Sequence, residues 1–147
     1  MIEINELIKH PIQLLGVEMV SCKIDKCIEQ LDTVEYSNIQ VKLKTWANLD
    51  KIDKNLGYTY LNIIIDFSEK IKPFFMDITY RGKCSLDNDI KATDKFEKFL
   101  ETQGLKLLWP YLRVAITDLM IKMDVQPIKL PTIDVLETMK RATIEKE

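Results

Sequence analysis

The strongest constraint on the fold of this chain is a change of hydrophobic period near residue 90. Before that point apolar and polar residues alternate in several runs, which is typical of half-buried β-strands. After it, apolar residues recur at spacings of three and four, which is typical of amphipathic helices. Strands followed by helices predict an α+β fold, a four-stranded antiparallel sheet with C-terminal helices packed on one face.

Four strands are predicted from the alternation. They are Gln13 to Ile24, Asn38 to Leu49, Gly57 to Glu69 and Phe74 to Leu86. The polar stretch that ends in Asn55-Leu56-Gly57 predicts a turn with a residue at positive φ, so the second and third strands should form an antiparallel hairpin. We expect the strands to follow one another in meander order, within a single domain covering residues 1–147.

Three helices are predicted after the strands. A short one is capped by Asp94, with Glu97 at the capping-box spacing, and is stopped by Gln103-Gly104. A longer one begins at Pro110, because proline suits the first turn of a helix. Its apolar face carries Leu112, Ile116, Leu119 and Met123. A last helix, capped by Thr132, has Ile133, Leu136, Met139 and Lys140 on one side.

Charge and composition exclude several classes of protein. Of 147 residues, 46% are hydrophobic and 30% charged, so the chain is neither disordered nor of low complexity. The 21 basic and 23 acidic residues leave a net charge of −2, which gives no field to hold a polyphosphate, and we expect no nucleic-acid partner. The longest apolar run, Ile63-Ile64-Ile65, predicts no membrane insertion, and the acidic first residues predict a cytoplasmic protein.

Residues that carry chemistry are sparse. The single histidine, His10, has no nucleophile or metal partner at a suitable spacing, and the four glycines are isolated, so no phosphate-binding loop is present. Cys22, Cys27 and Cys84 are odd in number and lack a C-x-x-C pair, which favours ordinary reduced thiols over disulfides or a zinc site. We therefore predict no enzymatic activity, no metal site and no cofactor.

Apolar side chains are predicted on both faces of the sheet. Trp46, Tyr58, Tyr60 and Phe75 alternate with the aliphatic residues of their own strands and should face away from the helices. A sheet that is apolar on both faces needs a second cover, from a partner subunit or a ligand. The alternative is that these are scattered surface aromatics, which are common.

The helical segment carries a family resemblance. It reads Leu107-Leu108-Trp109-Pro110-Tyr111-Leu112-Arg113, then Pro127-Ile128-Lys129-Leu130-Pro131. The chain resembles the SecB family of export chaperones, whose corresponding stretch has an aliphatic pair, an aromatic, Pro-Tyr-x-Arg, a helix and a Pro-x-aliphatic-x-Leu-x-Pro connection. The resemblance covers about the last third of the chain. It implies a homodimer or homotetramer that holds unfolded or nascent polypeptides, including preproteins, in long apolar grooves without ATP.

The resemblance also implies a set of site residues. The family's groove is formed by the first strand, the connection between the helices and the last helix. These regions correspond here to Leu15, Val17, Met19, Ile128, Leu130, Ile133, Leu136 and Met139. Adaptable aliphatic and methionine side chains also suit clients of varied sequence.

Two more specific chaperone roles, and one function that is not a chaperone function, are alternatives. Family members that deliver cargo to SecA use acidic residues on the exposed sheet face, where only Asp77, beside Phe75, corresponds here. SecB-like proteins also include chaperones dedicated to the antitoxin of a toxin–antitoxin pair. A non-chaperone interaction module, with its apolar face closed permanently by one partner or by itself, is the alternative of another class.

Overall fold

The sheet and one long helix are the main elements of the computed structural model, which describes residues 3, 7, 10–26, 39–68, 72–87, 94–128 and 138. The strands are β1 (Ile12–Lys26), β2 (Ile39–Leu49), β3 (Leu56–Phe67) and β4 (Phe74–Leu86), and the helix is α1 (Asp94–Lys122). All strand pairs are antiparallel, which confirms the α+β prediction and the β2–β3 hairpin. Of the predicted last helix, only Thr138 belongs to the described residues, and it is helical.

The meander prediction is wrong, because the strand order across the sheet is β1-β4-β3-β2. β2, β3 and β4 do pair with their neighbours in sequence, but β1 adds beside β4 as in a Greek key. Alternation defines which face of a strand is buried, but it does not define the neighbouring strand.

Strand β3 lies in the centre of the sheet and shows the predicted alternation most clearly. Every second residue from Gly57 to Phe67 is buried, and Leu61, Ile63 and Ile65 have no exposed surface. These side chains pack beneath α1, together with Phe74, Met76 and Ile78 of β4. The core therefore lies between one face of the sheet and the helix.

The helical prediction is wrong in one respect, because Asp94 to Lys122 form one continuous helix in place of two. Gly104 was expected to end a helix, yet it lies inside α1 and against β3. A side chain on Gly104 would overlap the hydroxyl of Thr59, which donates a 3.0 Å hydrogen bond to the carbonyl of Leu100. The glycine allows the helix to approach the sheet closely. Pro110 removes one backbone hydrogen bond, but burial of Trp109 and Leu112 on either side keeps the helix intact.

The turn prediction before β3 is also wrong in its detail. Among the described residues only Asp124, after α1, is a non-glycine with positive φ, and no glycine has one. Gly57 is the second residue of β3, where a side chain would collide with Leu100 and press on Phe96. Gly57 and Gly104 thus have the same role, because each lets α1 and the sheet come together.

Helix α1 lies off the centre of the sheet. It packs most extensively on β2 and β3 and least on β1. Strand β1 also contains two bulges, where Leu15 and Val20 are extra residues against β4. As a result most of β1 remains exposed, including the part of its helix-side surface that carries Met19. None of the helices in the described residues is long and apolar enough to span a membrane.

Candidate functional site

An open groove of about 660 Å³ runs between β1 and α1. This volume falls within the range of ligand-binding clefts, about 300–1,000 Å³. Most of the groove is apolar, and its lining residues are Val17, Met19, Tyr80, Pro110, Tyr111, Val114, Ala115, Asp118, Leu119 and Lys122. We call this feature the β1–α1 groove. It exists because α1 packs most closely on β2 and β3 and makes far fewer contacts with β1, so a gap remains between the helix and the β1 edge of the sheet.

The first strand contributes two of its three predicted site residues. Val17 and Met19 lie opposite Gly82 and Tyr80 of β4, and both point to the helix side of the sheet. Val17 is partly buried against the core, whereas Met19 is 39% exposed. Leu15 is the extra residue of the first bulge and does not line the groove, although it is 56% exposed. The bulge interrupts the alternation from which Leu15 was assigned to this face.

The predicted residues beyond α1 have a different position or lie outside the described part of the chain. Ile128 is half-buried and packs on the main core, where its backbone N–H points to the Met120 sulfur at 3.4 Å. It is not among the residues lining the groove. Leu130, Ile133, Leu136 and Met139 lie outside the described residues.

The helix contributes residues that the sequence reasoning missed. Tyr111, Val114 and Leu119 line the groove, and Val114 is 70% exposed. The signal was present in the sequence, because α1 carries apolar residues off its buried stripe of Leu108, Leu112 and Ile116. Such a second apolar stripe indicates a second contact surface on a helix.

Polar groups in the groove are few. Lys122 and Asp118 form an exposed pair on consecutive turns, with 3.9 Å between Nζ and Oδ2. Burial, and to a smaller extent the nearby Cys22, raises the pKa of Tyr80, and its hydroxyl can donate a hydrogen bond. The groove can therefore hold an apolar segment by non-directional contact, with a few polar anchors along it.

The opposite, outer face of the sheet carries aromatic and charged side chains. Trp46 and Tyr60 stack with ring centroids 5.1 Å apart, and Lys23 lies 5.9 Å above the Phe75 ring. Asp77 accepts a 2.7 Å hydrogen bond from the Asn62 side chain. The predicted residues Phe75 and Asp77 thus lie on the face away from α1, and that face holds lysines as well as carboxylates.

A smaller polar cavity of about 320 Å³ lies near the start of β1. The His10 ring closes one side, and its Nδ1 accepts a 3.0 Å hydrogen bond from the backbone N–H of Ile12. Within the described ranges no group of three His, Cys, Asp or Glu side chains is placed to hold a metal ion. The hydrogen bond to Ile12 positions the His10 ring at the beginning of β1.

The fold is similar to that of a known chaperone. The Rv1957 SecB-like chaperone of Mycobacterium tuberculosis, solved with a ChAD peptide from the Rv1956 HigA1 antitoxin, has a TM-score of 0.68 at 11% identity. The match covers 84% of this chain and 91% of that one, so this chain has a SecB-like fold. A protein of unknown function from Streptococcus agalactiae matches at a TM-score of 0.46 and 7% identity, over 82% of this chain and 97% of that one. No protein-family model and no curated protein matches the sequence.

Proposed function

We propose that this SecB-like chain is an ATP-independent holdase chaperone, which binds apolar segments of unfolded or nascent polypeptides in the β1–α1 groove. The protein would work in the cytoplasm as a homodimer or homotetramer and would carry out no covalent chemistry. Binding would rest on burial of client side chains and needs no cofactor.

The observation that carries this proposal is the exposed apolar lining of the groove. Val114 and Tyr111 project from the helix with 70% and 49% of their surface exposed, opposite Met19 of β1. Exposed side chains of this size in a contiguous strip mark contact sites in soluble proteins. Methionine and aliphatic side chains adapt to clients of different sequence, which a holdase requires.

Val114→Glu tests the groove. Because the side chain is exposed, the fold should be retained, whereas a carboxylate in the groove should repel apolar segments. Burial of one valine side chain against a client contributes about 1.5 kcal/mol to binding, so we expect its loss to weaken the affinity for clients about tenfold. The measurement is suppression of aggregation of several unrelated unfolded proteins, together with binding of a fluorescent apolar peptide.

Ile121→Glu is the matched control. Ile121 is 60% exposed on the same helix but does not line the groove, so the same chemical change should leave client binding intact. Equal loss in both variants would remove the groove from the proposal. If the wild-type protein binds none of several unrelated unfolded chains, it is a dedicated interaction module instead.

The implied groove residues beyond α1 have their own test. We propose that Leu130, Ile133, Leu136 and Met139 contribute to client binding, with Ile128 anchoring the start of that segment on the core. Leu136→Asp combined with Met139→Asp should abolish suppression of aggregation while circular dichroism stays unchanged. Unchanged activity would restrict the client site to the β1–α1 groove.

A second candidate function is a chaperone dedicated to an antitoxin. It is favoured by one observation, that the SecB-like neighbour was solved with an antitoxin peptide. A dedicated chaperone should hold one client tightly and others poorly, so a comparison of affinities across clients distinguishes the two functions.

Export coupling is a third role, with SecA docking at Phe75 and Asp77. The Asp77 carboxylate is engaged by Asn62 and Lys23 lies over the Phe75 ring, whereas the exposed Asp25 of β1 lies directly opposite Phe75. Binding of purified SecA to wild type and to Asp77→Asn, which removes the carboxylate charge, measures this role.

A further inference from the structure

We propose that the outer face of the sheet docks an extended acidic segment of a partner protein, independently of the β1–α1 groove. The surface is an aromatic and basic patch that spans three strands. We call it the aromatic–basic strip, and it consists of Lys44, Trp46, Tyr58, Tyr60, Arg81 and Lys83.

The sheet register brings these residues together. Trp46 on β2 lies opposite Tyr60 on β3, and Tyr60 lies opposite Arg81 on β4. In the next row Tyr58 lies opposite Lys83. The strip is therefore a consequence of strand pairing and not of chance surface contacts.

Aromatic rings and cations alternate within the strip. The Trp46 and Tyr60 rings stack with an angle of 3° between their planes. The Lys44 ammonium lies 5.7 Å from the centre of the Trp46 ring, and the Arg81 guanidinium lies 5.0 Å from that of Tyr58. These contacts hold long side chains in place, so less conformational entropy is lost when a partner binds. Trp46 is still 37% exposed.

The charges of the strip point to an acidic partner. Its carboxylates lie at the rims, where Glu18 on β1 pairs with Arg81 and Asp50 after β2 accepts a hydrogen bond from the Tyr58 hydroxyl. Between the rims, Lys44 on β2 lies opposite Asn62 on β3, which in turn lies opposite Thr79 on β4. Both of these neighbours in the row of Lys44 are neutral. Lys83 lies close enough to Asp50 to help lower the pKa of that carboxyl, whereas Lys44 has neutral neighbours in its row and remains available to pair with a carboxylate from outside.

The spacing of the lysines fits an extended polypeptide. Lys42 lies just beyond the strip, near Asp66, and is two residues from Lys44 on the outer face of β2, about 7 Å along the strand. Carboxylates at positions i and i+2 of an extended segment have the same spacing. A polyphosphate is disfavoured, because these few cations are flanked by Glu18, Asp50 and Asp77, and the whole chain carries a charge of −2.

Trp46 supplies the readout for the test. The sequence has two tryptophans, and Trp109 lies on the buried side of α1 with 6% of its surface exposed, so Trp109→Phe leaves Trp46 as the single tryptophan, which can be excited selectively. The full-length variant, checked by circular dichroism, is titrated with a peptide of about twelve residues that alternates glutamate and serine. The matched probes are a lysine–serine peptide and a thymidine oligonucleotide. We expect quenching by the acidic peptide alone, weaker at high salt.

Reversing the charge of lysines on β2 tests where the acidic peptide binds. Lys42→Glu with Lys44→Glu should weaken the acidic peptide about tenfold, since two charged contacts are lost. Lys98→Glu with Lys106→Glu changes the net charge equally on exposed positions of α1 and should have little effect. Equal weakening by both pairs, absence of quenching, or quenching by the oligonucleotide alone would overturn the proposal. Val114→Glu should leave this binding unchanged, so failure of the groove proposal and failure of this one are distinguishable.

Discussion

Helix α1 has two apolar sides, and they differ in what lies beneath them. Towards β2 and β3 the helix is sealed, and Leu108, Leu112 and Ile116 have no exposed surface. Towards β1 it is open, and Val114 and Tyr111 project into a groove. The residue types on the two sides are similar, so hydrophobicity does not separate core from site. The difference arises from the position of the helix on the sheet.

Truncating one side chain on each side of α1 should give the largest contrast in stability. Leu108→Ala leaves a cavity in the sealed side and should lower the free energy of unfolding by about 2–5 kcal/mol. Val114→Ala removes an exposed side chain and should change it by less than about 0.5 kcal/mol. Urea unfolding of both variants measures the effect. Similar losses in the two variants would contradict the distinction between a sealed and an open side.

A substitution at the closest approach of helix and sheet should have the next largest effect. Gly104→Ala places a methyl group against the Thr59 hydroxyl, so the helix must move away from β3. We expect a loss of about 1–3 kcal/mol, as for other overpacked cores. Thr59→Ala removes the hydroxyl, so the double variant should lose less than the sum of the single ones. Strict additivity in urea unfolding would show that the two residues do not clash.

Two cysteines on neighbouring strands give the smallest and most selective comparison. Burial raises the pKa of Cys84 from 9.0 to about 11, whereas Cys22 on β1 is exposed. A raised thiol pKa means that the folded protein keeps a proton that the unfolded chain releases. This contribution to stability is therefore constant below pH 9 and falls between pH 9 and 11, by about 1.4 kcal/mol at pH 10.

The measurement compares wild type with Cys84→Ala. Urea unfolding at pH 8 and at pH 10 should show a steeper loss in the wild type, and a parallel loss in both would contradict the assignment. In a Cys27→Ser background a thiol reagent should modify Cys22 readily and Cys84 only after unfolding. Fast modification of both thiols in the folded protein would mean that the Cys84 side chain is not buried.

Much of the fold could be predicted from alternation and periodicity. The bounds of β4 agree with the prediction at both ends, and β2 and β3 agree to within two residues, because hydrophobic side chains alternate without interruption there. Strand order failed, since pairing of β1 with β4 depends on contacts between residues far apart in sequence. The prediction that Gly104 ends a helix was wrong for a related reason, because this glycine contacts Thr59 on another element.

The predicted site residues of β1 share one face of the sheet only where the alternation continues in the structure. Val17 and Met19 line the groove, whereas the bulge at Leu15 shifts that residue out of the lining. Tyr111 and Val114 were missed because they lie outside the stripe that packs on the sheet. Their assignment requires knowing that α1 is displaced towards β2, which no single helix pattern encodes.

The two bulges in β1 have a consequence for self-aggregation. An exposed strand at the edge of a sheet can pair with a strand of another molecule and so begin a cross-β stack. Extra residues at Leu15 and Val20 divide the outer hydrogen-bonding groups of β1 into short stretches, so a foreign strand can form only a few consecutive ladder bonds. The same irregularity that displaces Leu15 from the groove thus keeps this edge from acting as a template for fibril growth.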